Sequence, residues 1–214
     1  MKKPDKVSNA VIRRLPRYYR QLSEMQRKGV VRISSNALGK GMGLTASQIR
    51  QDLFCFGEFG QQGYGYKVDS LREEIGEILG ITRGHTAVVM GAGNLGRALI
   101  ENFEFDLNGF ELLAAFDVDD QIVGRKIEGV PVYHVGQLEQ FLAEHTVSVA
   151  LLTVPRTAAV AAAEQLVAGG VKGLWNFTNC ELSFPDSNVV VESVHFSDSL
   201  LTLSYLISQQ NQEE

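Results

Sequence analysis

The sequence predicts an α/β protein in which an N-terminal winged helix-turn-helix precedes a Rossmann-type, doubly wound parallel sheet. Three observations support this prediction. Residues 1–50 carry twelve Lys or Arg against two acidic residues, whereas the other 164 residues carry eight basic and 23 acidic residues. The hydrophobic pattern changes at His85, from helical spacing to nearly continuous apolar runs that alternate with helices. The first of these runs leads into a glycine pattern, Gly91 to Gly96.

The composition excludes several protein classes. The chain has 214 residues, of which 44% are hydrophobic and 21% charged, so it is neither disordered nor fibrous. No apolar run approaches the ~18 residues of a transmembrane helix, and the charged start leads into no signal-peptide core. Cys55 and Cys180 alone form neither a disulfide framework nor a zinc site. We therefore expect a cytoplasmic protein with two free thiols, no metal and no membrane contact.

The first helix is predicted over residues 9–28, where apolar residues recur at three- and four-residue spacing. The other faces of this helix carry arginine residues 13, 14, 17, 20 and 27. Pro16 either kinks the helix or marks a first turn that starts later. A short second helix is predicted from a Ser34 cap to about Gly41.

The next segment predicts the recognition part of a helix-turn-helix. Thr45 to Gln48 reads as a capping box, in which the Thr45 hydroxyl accepts one N–H and the Gln48 side chain reaches back to another. The helix that follows is predicted over residues 46–54. Four glycines alternate with aromatic residues between Phe56 and Tyr66, which predicts a β-hairpin wing. A helix over residues 68–79 closes the domain.

From residue 85 onward, strands alternate with helices, as in a doubly wound sheet. The strands are predicted at residues 86–90, 111–117, 130–133, 147–153, 172–177 and 189–192. The helices are predicted at residues 97–103, 136–144, 157–168 and 198–208. The expected domains are therefore residues 1–80, a linker at 81–84, residues 85–196, and a C-terminal helix and tail at 197–214.

A dinucleotide fingerprint follows the first strand of the second domain. It consists of Gly91, Ala92, Gly93, Asn94, Leu95 and Gly96, with Asp117 at the end of the next strand. The first glycine makes a tight turn, the second admits a pyrophosphate, and the third lets the helix pack on the sheet. The carboxylate of Asp117 suits the ribose hydroxyls and repels a 2′-phosphate, so the pattern predicts NADH or NAD+ rather than the phosphorylated cofactors.

Three functions remain open from the residues alone: a cofactor-responsive DNA-binding repressor, an NAD-dependent oxidoreductase, and an NAD-binding interaction protein. An oxidoreductase needs a proton donor beside the nicotinamide. The candidates are Tyr133, His134, His145, Lys172, Cys180 and His195. The basic head, the helix-turn-helix and the fingerprint together favour the repressor, and no separate substrate domain follows the fingerprint, so we predict no enzymatic activity.

Several further motifs accompany the fingerprint. They are residues 14–20 (RLPRYYR), 47–53 (SQIRQDL), 56–60 (FGEFG), 63–66 (GYGY), 116–119 (FDVD), 152–155 (LTVP) and 173–177 (GLWNF). In this order they resemble the Rex family of bacterial redox-sensing transcriptional repressors over nearly the whole chain. The resemblance implies a homodimer that exchanges its C-terminal helices, binds a palindromic operator in double-stranded DNA, and releases it when NADH binds.

The resemblance also implies site residues. Those assigned to DNA are Arg14, Arg17, Arg20, Ser47, Gln48, Arg50, Gln51, Gln61, Gln62, Gly63 and Tyr64. Those added to the fingerprint as cofactor contacts are Thr153, Val154, Pro155, Asn176, Phe177 and Phe196. Thr153 to Pro155 also end a predicted strand at the sheet edge where ligands bind.

The sequence departs from the family pattern at three places: the wing, the position after Arg50, and the switch. Gln51, Gln61 and Gln62 stand where basic residues are usual, which predicts fewer phosphate contacts and weaker DNA binding. In the family, an acidic residue exchanges partners between a tyrosine and the arginine that matches Arg20. Here His195 replaces the acid and Asn102 replaces the tyrosine. Either His195 is a neutral partner in a modified switch, or the chain binds NAD(H) with altered or lost redox sensing.

Overall fold

A computed structural model describes residues 7–57, 59 and 64–210 of the chain. The chain divides into two compact units, residues 1–83 and 84–214. The boundary between the units falls within the predicted linker at residues 81–84. The second unit contains the predicted sheet together with the C-terminal helix.

The described part of the N-terminal unit is mainly helical. Its helices are α1 (Asn9–Ile12), α2 (Leu15–Arg27), α3 (Ser35–Met42), α4 (Ala46–Phe54) and α5 (Val68–Leu79). Its strands are β1 (Arg32–Ile33) and β2 (Tyr66–Lys67), which pair in antiparallel fashion. Its core is formed by Leu15, Tyr18, Leu22, Leu38, Ile49, Leu53, Val68, Leu71 and Ile75.

The single helix predicted over residues 9–28 is two helices in the structure. Pro16 stands in the first turn of α2, where its missing N–H has no intrahelical partner to lose. The second of the two alternatives for Pro16 is therefore confirmed.

The helix-turn-helix is capped largely as the sequence predicts. The Ser34 hydroxyl accepts the Ala37 N–H at 3.1 Å, and the Thr45 hydroxyl accepts the Gln48 N–H at 3.1 Å. Between α3 and α4, Gly43 adopts φ +68°, a left-handed conformation that favours glycine. The side chain of Gln48 donates to Asp52 instead of completing the capping box.

The predicted β-hairpin wing lies partly outside the described residues and stays a prediction. Its described strand β2 pairs with β1, which precedes the helix-turn-helix and was not predicted. A strand of two residues has no measurable period, so the hydrophobic pattern gave no signal for it. Glu58, Gly60, Gln61, Gln62 and Gly63 lie outside the described residues.

The C-terminal unit is a doubly wound sheet. Its strands are β3 (His85–Met90), β4 (Phe110–Asp117), β5 (Lys126–Ile127), β6 (Val130–His134), β7 (Val149–Leu152), β8 (Gly173–Asn176) and β9 (Val190–Ser193). Its helices are α6 (Asn94–Asn102), α7 (Leu138–Glu144), α8 (Arg156–Ala168) and α9 (Phe196–Gln210). The strand order is β5-β6-β4-β3-β7-β8-β9, parallel except for the β5–β6 pair. From β6 to β9 this is the Rossmann order, with its crossover point between β3 and β7.

Alternate residues of the central strands pack on opposite faces of the sheet. In β3, Val88 and Met90 face one apolar cluster, whereas Ala87 and Val89 face the other. Both faces are therefore covered, which explains why this strand is apolar from Ala87 to Met90. The helix predicted at residues 97–103 begins earlier, at Asn94, because the glycine loop itself forms its N-terminus.

Candidate nucleotide site and nucleic-acid interface

The glycine loop crosses from β3 to α6 at the crossover point. Gly91 adopts φ +94°, and a Cβ there would lie 2.9 Å from the Thr153 carbonyl carbon. A Cβ on Gly96 would overlap the carbonyl oxygen of Gly91. A Cβ on Gly93, in contrast, would have no neighbour within 4 Å. Gly91 and Gly96 are thus needed for the fold, whereas Gly93 leaves open space at the N-terminus of α6, where a phosphate would be favoured.

The three residues after β7 border this loop in different ways. The Thr153 hydroxyl donates to the Gly91 carbonyl oxygen at 2.6 Å and lies 3.0 Å from that of Met90. Pro155 is the N-cap of α8 and is exposed, and Val154 is half-buried. Thr153 therefore ties the end of β7 to the glycine loop, a contact that sequence spacing alone did not indicate.

The carboxylate of Asp117 organises the ends of β3 and β4. Its Oδ2 accepts the Ala92 N–H at 2.6 Å, and its Oδ1 accepts the N–H groups of Val118 at 2.7 Å and Asp119 at 3.0 Å. The predicted ribose acceptor thus contacts the second residue of the glycine loop. Ala92 is buried, whereas Gly93 and Asn94 are exposed.

Asn176 was predicted as a cofactor contact, but its side-chain amide is fully engaged within the unit. Its Nδ2 donates to the Cys180 carbonyl and the Ser193 hydroxyl, at 2.8 and 3.1 Å. Its Oδ1 accepts the Thr178 N–H at 3.0 Å and hydroxyl at 2.6 Å. Because the side chain is 1% exposed, its role is to hold the loop after β8 against β9.

Phe177 and Phe196 lie beside each other at the ends of two elements. Phe177 follows β8 and is buried, whereas Phe196 begins α9 and is exposed. Their ring centroids are 6.2 Å apart, and Phe177 also packs on Trp175 at 4.8 Å. The two predicted residues are therefore neighbours, and Phe196 is the one that is exposed.

The residues assigned to the switch have defined surroundings. His195 lies 3.6 Å from a carboxylate oxygen of Glu181 and 3.3 Å from the side-chain oxygen of Asn179. The Asn102 amide donates to the Ala98 carbonyl of its own helix at 2.9 Å. In the N-terminal unit, Arg20 is exposed on α2.

Two of the candidate proton donors have structural roles. The ring Nδ1 of His134 accepts the Gly136 N–H at 3.0 Å and caps a short 3-10 turn. His145 ends α7 and stacks on Phe141, with ring centroids 4.1 Å apart. These contacts account for both histidines without catalysis.

In the N-terminal unit, three predicted DNA contacts lie exposed on the recognition helix α4: Ser47, Arg50 and Gln51. The Arg50 guanidinium makes one long contact, 3.3 Å, to the Ser35 hydroxyl. In the wing, Tyr64 is 71% exposed, and its carbonyl accepts a hydrogen bond from Arg32 at 3.1 Å. These four predicted residues are thus accessible, and Arg32 is a neighbouring cation that was not among the predicted contacts.

Two other arginines are engaged within the unit. Arg17 donates to the Met42 carbonyl at the end of α3. Arg14 forms a two-point ion pair with Asp52, which is 1% exposed. Asp52 was missed as a site residue, although a carboxylate beside the apolar positions Ile49 and Leu53 was a readable signal.

Known proteins resemble both units of this chain, and some of them contain both units in one chain. A family model described as a CoA binding domain matches residues 82–180, and one described as a putative DNA-binding protein N-terminus matches residues 6–53. The redox-sensing transcriptional repressor Rex of Clostridium beijerinckii is 47% identical over 209 residues, which cover 98% of this chain and 99% of that protein. The chain belongs to the Rex family.

Solved Rex-family structures agree with this fold. RSP, a Rex-family repressor, in complex with β-NAD+ and operator DNA is 44% identical, with a TM-score of 0.89 over 98% of this chain and 96% of that one. RSP in complex with β-NADH is 42% identical, with a TM-score of 0.89 over 98% of each chain. The predicted family and fold are confirmed. The prediction of a regulator instead of an enzyme is also confirmed, since the Rex relatives are named as repressors.

Membrane-spanning helices and metal sites were searched for among the described residues. Within residues 7–57, 59 and 64–210, no helix has the length and apolar character needed to cross a membrane. The same residues contain no cluster of three or more His, Cys, Asp or Glu arranged for a metal ion. Cys55 and Cys180 are free thiols, as predicted.

Proposed function

We propose that this Rex-family chain is a repressor that binds a palindromic operator as a homodimer and releases it when NADH binds. The observation that carries the proposal is the presence in one chain of a capped recognition helix, with Arg50 exposed, and an open glycine loop at Gly93. The relatives named as redox-sensing repressors support it, as do the RSP complexes with operator DNA, NAD+ and NADH. Such a repressor would act in the cytoplasm, where it meets both DNA and NADH.

The DNA contacts would come from α4 and the wing. Ser47, Gln48 and Gln51 would face the major groove, and Arg50 would reach a phosphate at the edge of that groove. The wing with Tyr64 would lie in the minor groove. Gln61, Gln62 and Gly63 belong to this proposal but lie outside the described residues. Two recognition helices reading two half-sites require a dimer.

The proposed dimer uses α9. Five aliphatic side chains of this helix are each at least half exposed within the unit: Leu200, Leu201, Leu203, Leu206 and Ile207. An exposed apolar helix of this length calls for a partner. We propose that the partner is the same helix region of a second copy, exchanged between subunits.

The cofactor would lie across the carboxyl ends of β3, β4, β7 and β8. Its pyrophosphate would meet the N–H groups at Gly93 to Leu95, and its adenosine ribose would meet Asp117. The nicotinamide would lie near Phe177 and Phe196. Asn176 would hold the loop after β8 beside these two rings, and its own side chain would not contact the cofactor.

The test is fluorescence anisotropy with the operator duplex crystallised with RSP and a scrambled duplex of equal length, at fixed salt. Titration with NADH is expected to release the operator, and titration with NAD+ to leave it bound. Coenzyme A serves as a control, because the matching domain model is named for it. Equal binding to both duplexes would contradict the proposal.

A second candidate function is an NAD(H)-binding repressor with altered redox sensing. It is favoured by His195, which faces Glu181 and Asn179 where the family pattern has an acid. Equal release by NADH and NAD+ would support this candidate over the first.

A further inference from the structure

The buried carboxylate of Asp52 collects four hydrogen bonds between α2 and α4. Arg14 donates through Nε to Oδ2 at 2.6 Å and through Nη2 to Oδ1 at 2.9 Å. The Tyr18 hydroxyl donates to Oδ2 at 2.7 Å, and the Gln48 amide to Oδ1 at 2.7 Å. A carboxylate has about four acceptor positions, so Asp52 is saturated.

This arrangement fixes the orientation of the recognition helix. Two of the three donor side chains come from the start of α2: Arg14 is its N-cap and Tyr18 lies in its first turns, whereas Asp52 belongs to α4. An Arg–carboxylate pair with two parallel hydrogen bonds has one planar geometry, so it restricts rotation of α4 about its own axis. The side chain of Gln48 is held by the same carboxylate. The exposed Arg50 lies on the same helix, two residues before Asp52.

The charge of Arg14 is already compensated. Its side chain is 22% exposed, and the hydrogen bond with Asp52 raises the pKa of its guanidinium. Arg50, by comparison, is exposed, and it donates a hydrogen bond to the neutral hydroxyl of Ser35. A phosphate releases counterions when it meets a cation, and a neutral ion pair contributes little to that release.

We propose that Arg14 is a positioning residue, which orients α4 through Asp52 for base recognition, and is not one of the DNA-phosphate contacts that the sequence suggested. The proposal rests on the proposed operator binding. It predicts that Arg14 governs the preference for the operator over other DNA, whereas Arg50 governs affinity for any duplex.

The test measures the DNA affinity of three variants of the full chain by fluorescence anisotropy, with the operator duplex of RSP and with a scrambled duplex. Each titration is repeated at salt concentrations from about 50 to about 200 mM. Arg14→Lys keeps the charge but cannot reproduce the two-point pair. The double variant Arg14→Gln with Asp52→Asn replaces the ion pair by two amides, so that no unpaired buried charge remains. Arg50→Gln is the positive control for a lost phosphate contact. Thermal unfolding followed by circular dichroism checks that each variant is folded.

Arg14→Lys is expected to lower operator affinity by about tenfold or more while leaving scrambled affinity unchanged. The double variant is expected to keep the wild-type slope of log affinity against log salt, whereas Arg50→Gln reduces that slope by about two per dimer, one for each protomer. Wild-type operator affinity in Arg14→Lys, or a slope reduced by about two in the double variant, would overturn the proposal. If the wild-type protein itself did not prefer the operator, the proposed function would fail instead.

Discussion

The carboxylate of Asp117 and the backbone N–H of Ala92 are 2.6 Å apart, so the end of β4 is hydrogen-bonded to the glycine loop that follows β3. The acid predicted to recognise a ribose therefore also orders the segment predicted to hold the pyrophosphate. Asn at this position keeps an acceptor for Ala92 but removes the negative charge.

Asp117→Asn is accordingly expected to weaken NADH binding by about 10–100-fold, since a hydrogen bond to a charged group contributes about 1.5–3 kcal/mol. NADPH binding is expected to strengthen relative to NADH, because the charge that repels a 2′-phosphate is gone. Cofactor fluorescence titration measures both affinities. Asp120→Asn, at an exposed acid nearby, removes the same charge and should leave the ratio unchanged; the same shift in both variants would argue against a specific ribose contact.

Substitution of Gly93 is expected to affect cofactor binding, whereas substitution of Gly96 is expected to affect the stability of the fold. Gly93→Ala meets no neighbour within 4 Å and has φ −69°, so the unit should fold with an unchanged melting temperature. It should lose at least tenfold in NADH affinity, because the methyl group occupies the open space beside the helix N-terminus.

Gly96→Ala should instead lower stability by about 3 kcal/mol, because its methyl group overlaps the Gly91 carbonyl and lies 2.8 Å from the Thr153 hydroxyl. Calorimetry and NADH titration of the two variants separate these effects. An unstable Gly93→Ala variant or a stable Gly96→Ala variant would mean that the loop is built differently.

The N-terminal unit is expected to lose stability in acid through Asp52. Burial by itself raises the pKa of this carboxyl, but the hydrogen bonds from Arg14, Tyr18 and Gln48 outweigh it, so the pKa lies below its ordinary value. A depressed pKa in the folded state stabilises the fold above the unfolded pKa of about 4, and this stabilisation is lost as the pH falls through the folded pKa.

Urea unfolding followed by circular dichroism, repeated between about pH 2 and 6, measures the effect. Asp52→Asn should show a shallower fall in unfolding free energy with acid than the wild type. Asp69→Asn is the control, since Asp69 is exposed and accepts one hydrogen bond from Gln26. Identical acid profiles for the wild type and Asp52→Asn would show that Asp52 titrates alike in both states.

The dimer is expected to depend on the apolar surface of α9. Leu203→Glu places a charge where the proposed partner helix packs, and burying an unpaired charge is unfavourable. The molar mass of this variant, measured by light scattering after size exclusion, should be that of one chain, whereas the wild type should show twice that mass. Gln209→Glu, at an exposed polar position about a third of a turn away from Leu203 around the same helix, should leave the mass unchanged. A dimeric Leu203→Glu variant would exclude α9 as the main interface.

Local patterns predicted most of the elements. Caps at Ser34 and Thr45, and the glycine fingerprint, depend on residues within a few positions of each other, so spacing is sufficient to recognise them. Helix and strand periods likewise gave the order that the sheet confirms. The two-residue strand β1 was missed because it is defined only by its partner, β2.

Side-chain partners far apart in sequence were the main limit. Arg14 and Asp52 are 38 residues apart, so a basic helix face could not be distinguished from an internal ion pair. Asn176 was assigned to a cofactor, although all four of its hydrogen bonds stay within the unit. Polar side chains of one type serve both purposes, and only burial and partner geometry separate them.

The sequence by itself determined the two-unit α/β architecture, the dinucleotide fingerprint and the family, because each is encoded by short-range spacing and by the order of motifs along the chain. The tertiary structure decided which polar residues remain available for ligands. Folding brings Asp52 under α2 and Thr153 against Gly91, and both contacts depend on long-range packing that no local pattern specifies. Buried polar groups must be hydrogen-bonded, so the fold engages some predicted contacts internally and leaves others, such as Arg50 and Gly93, exposed.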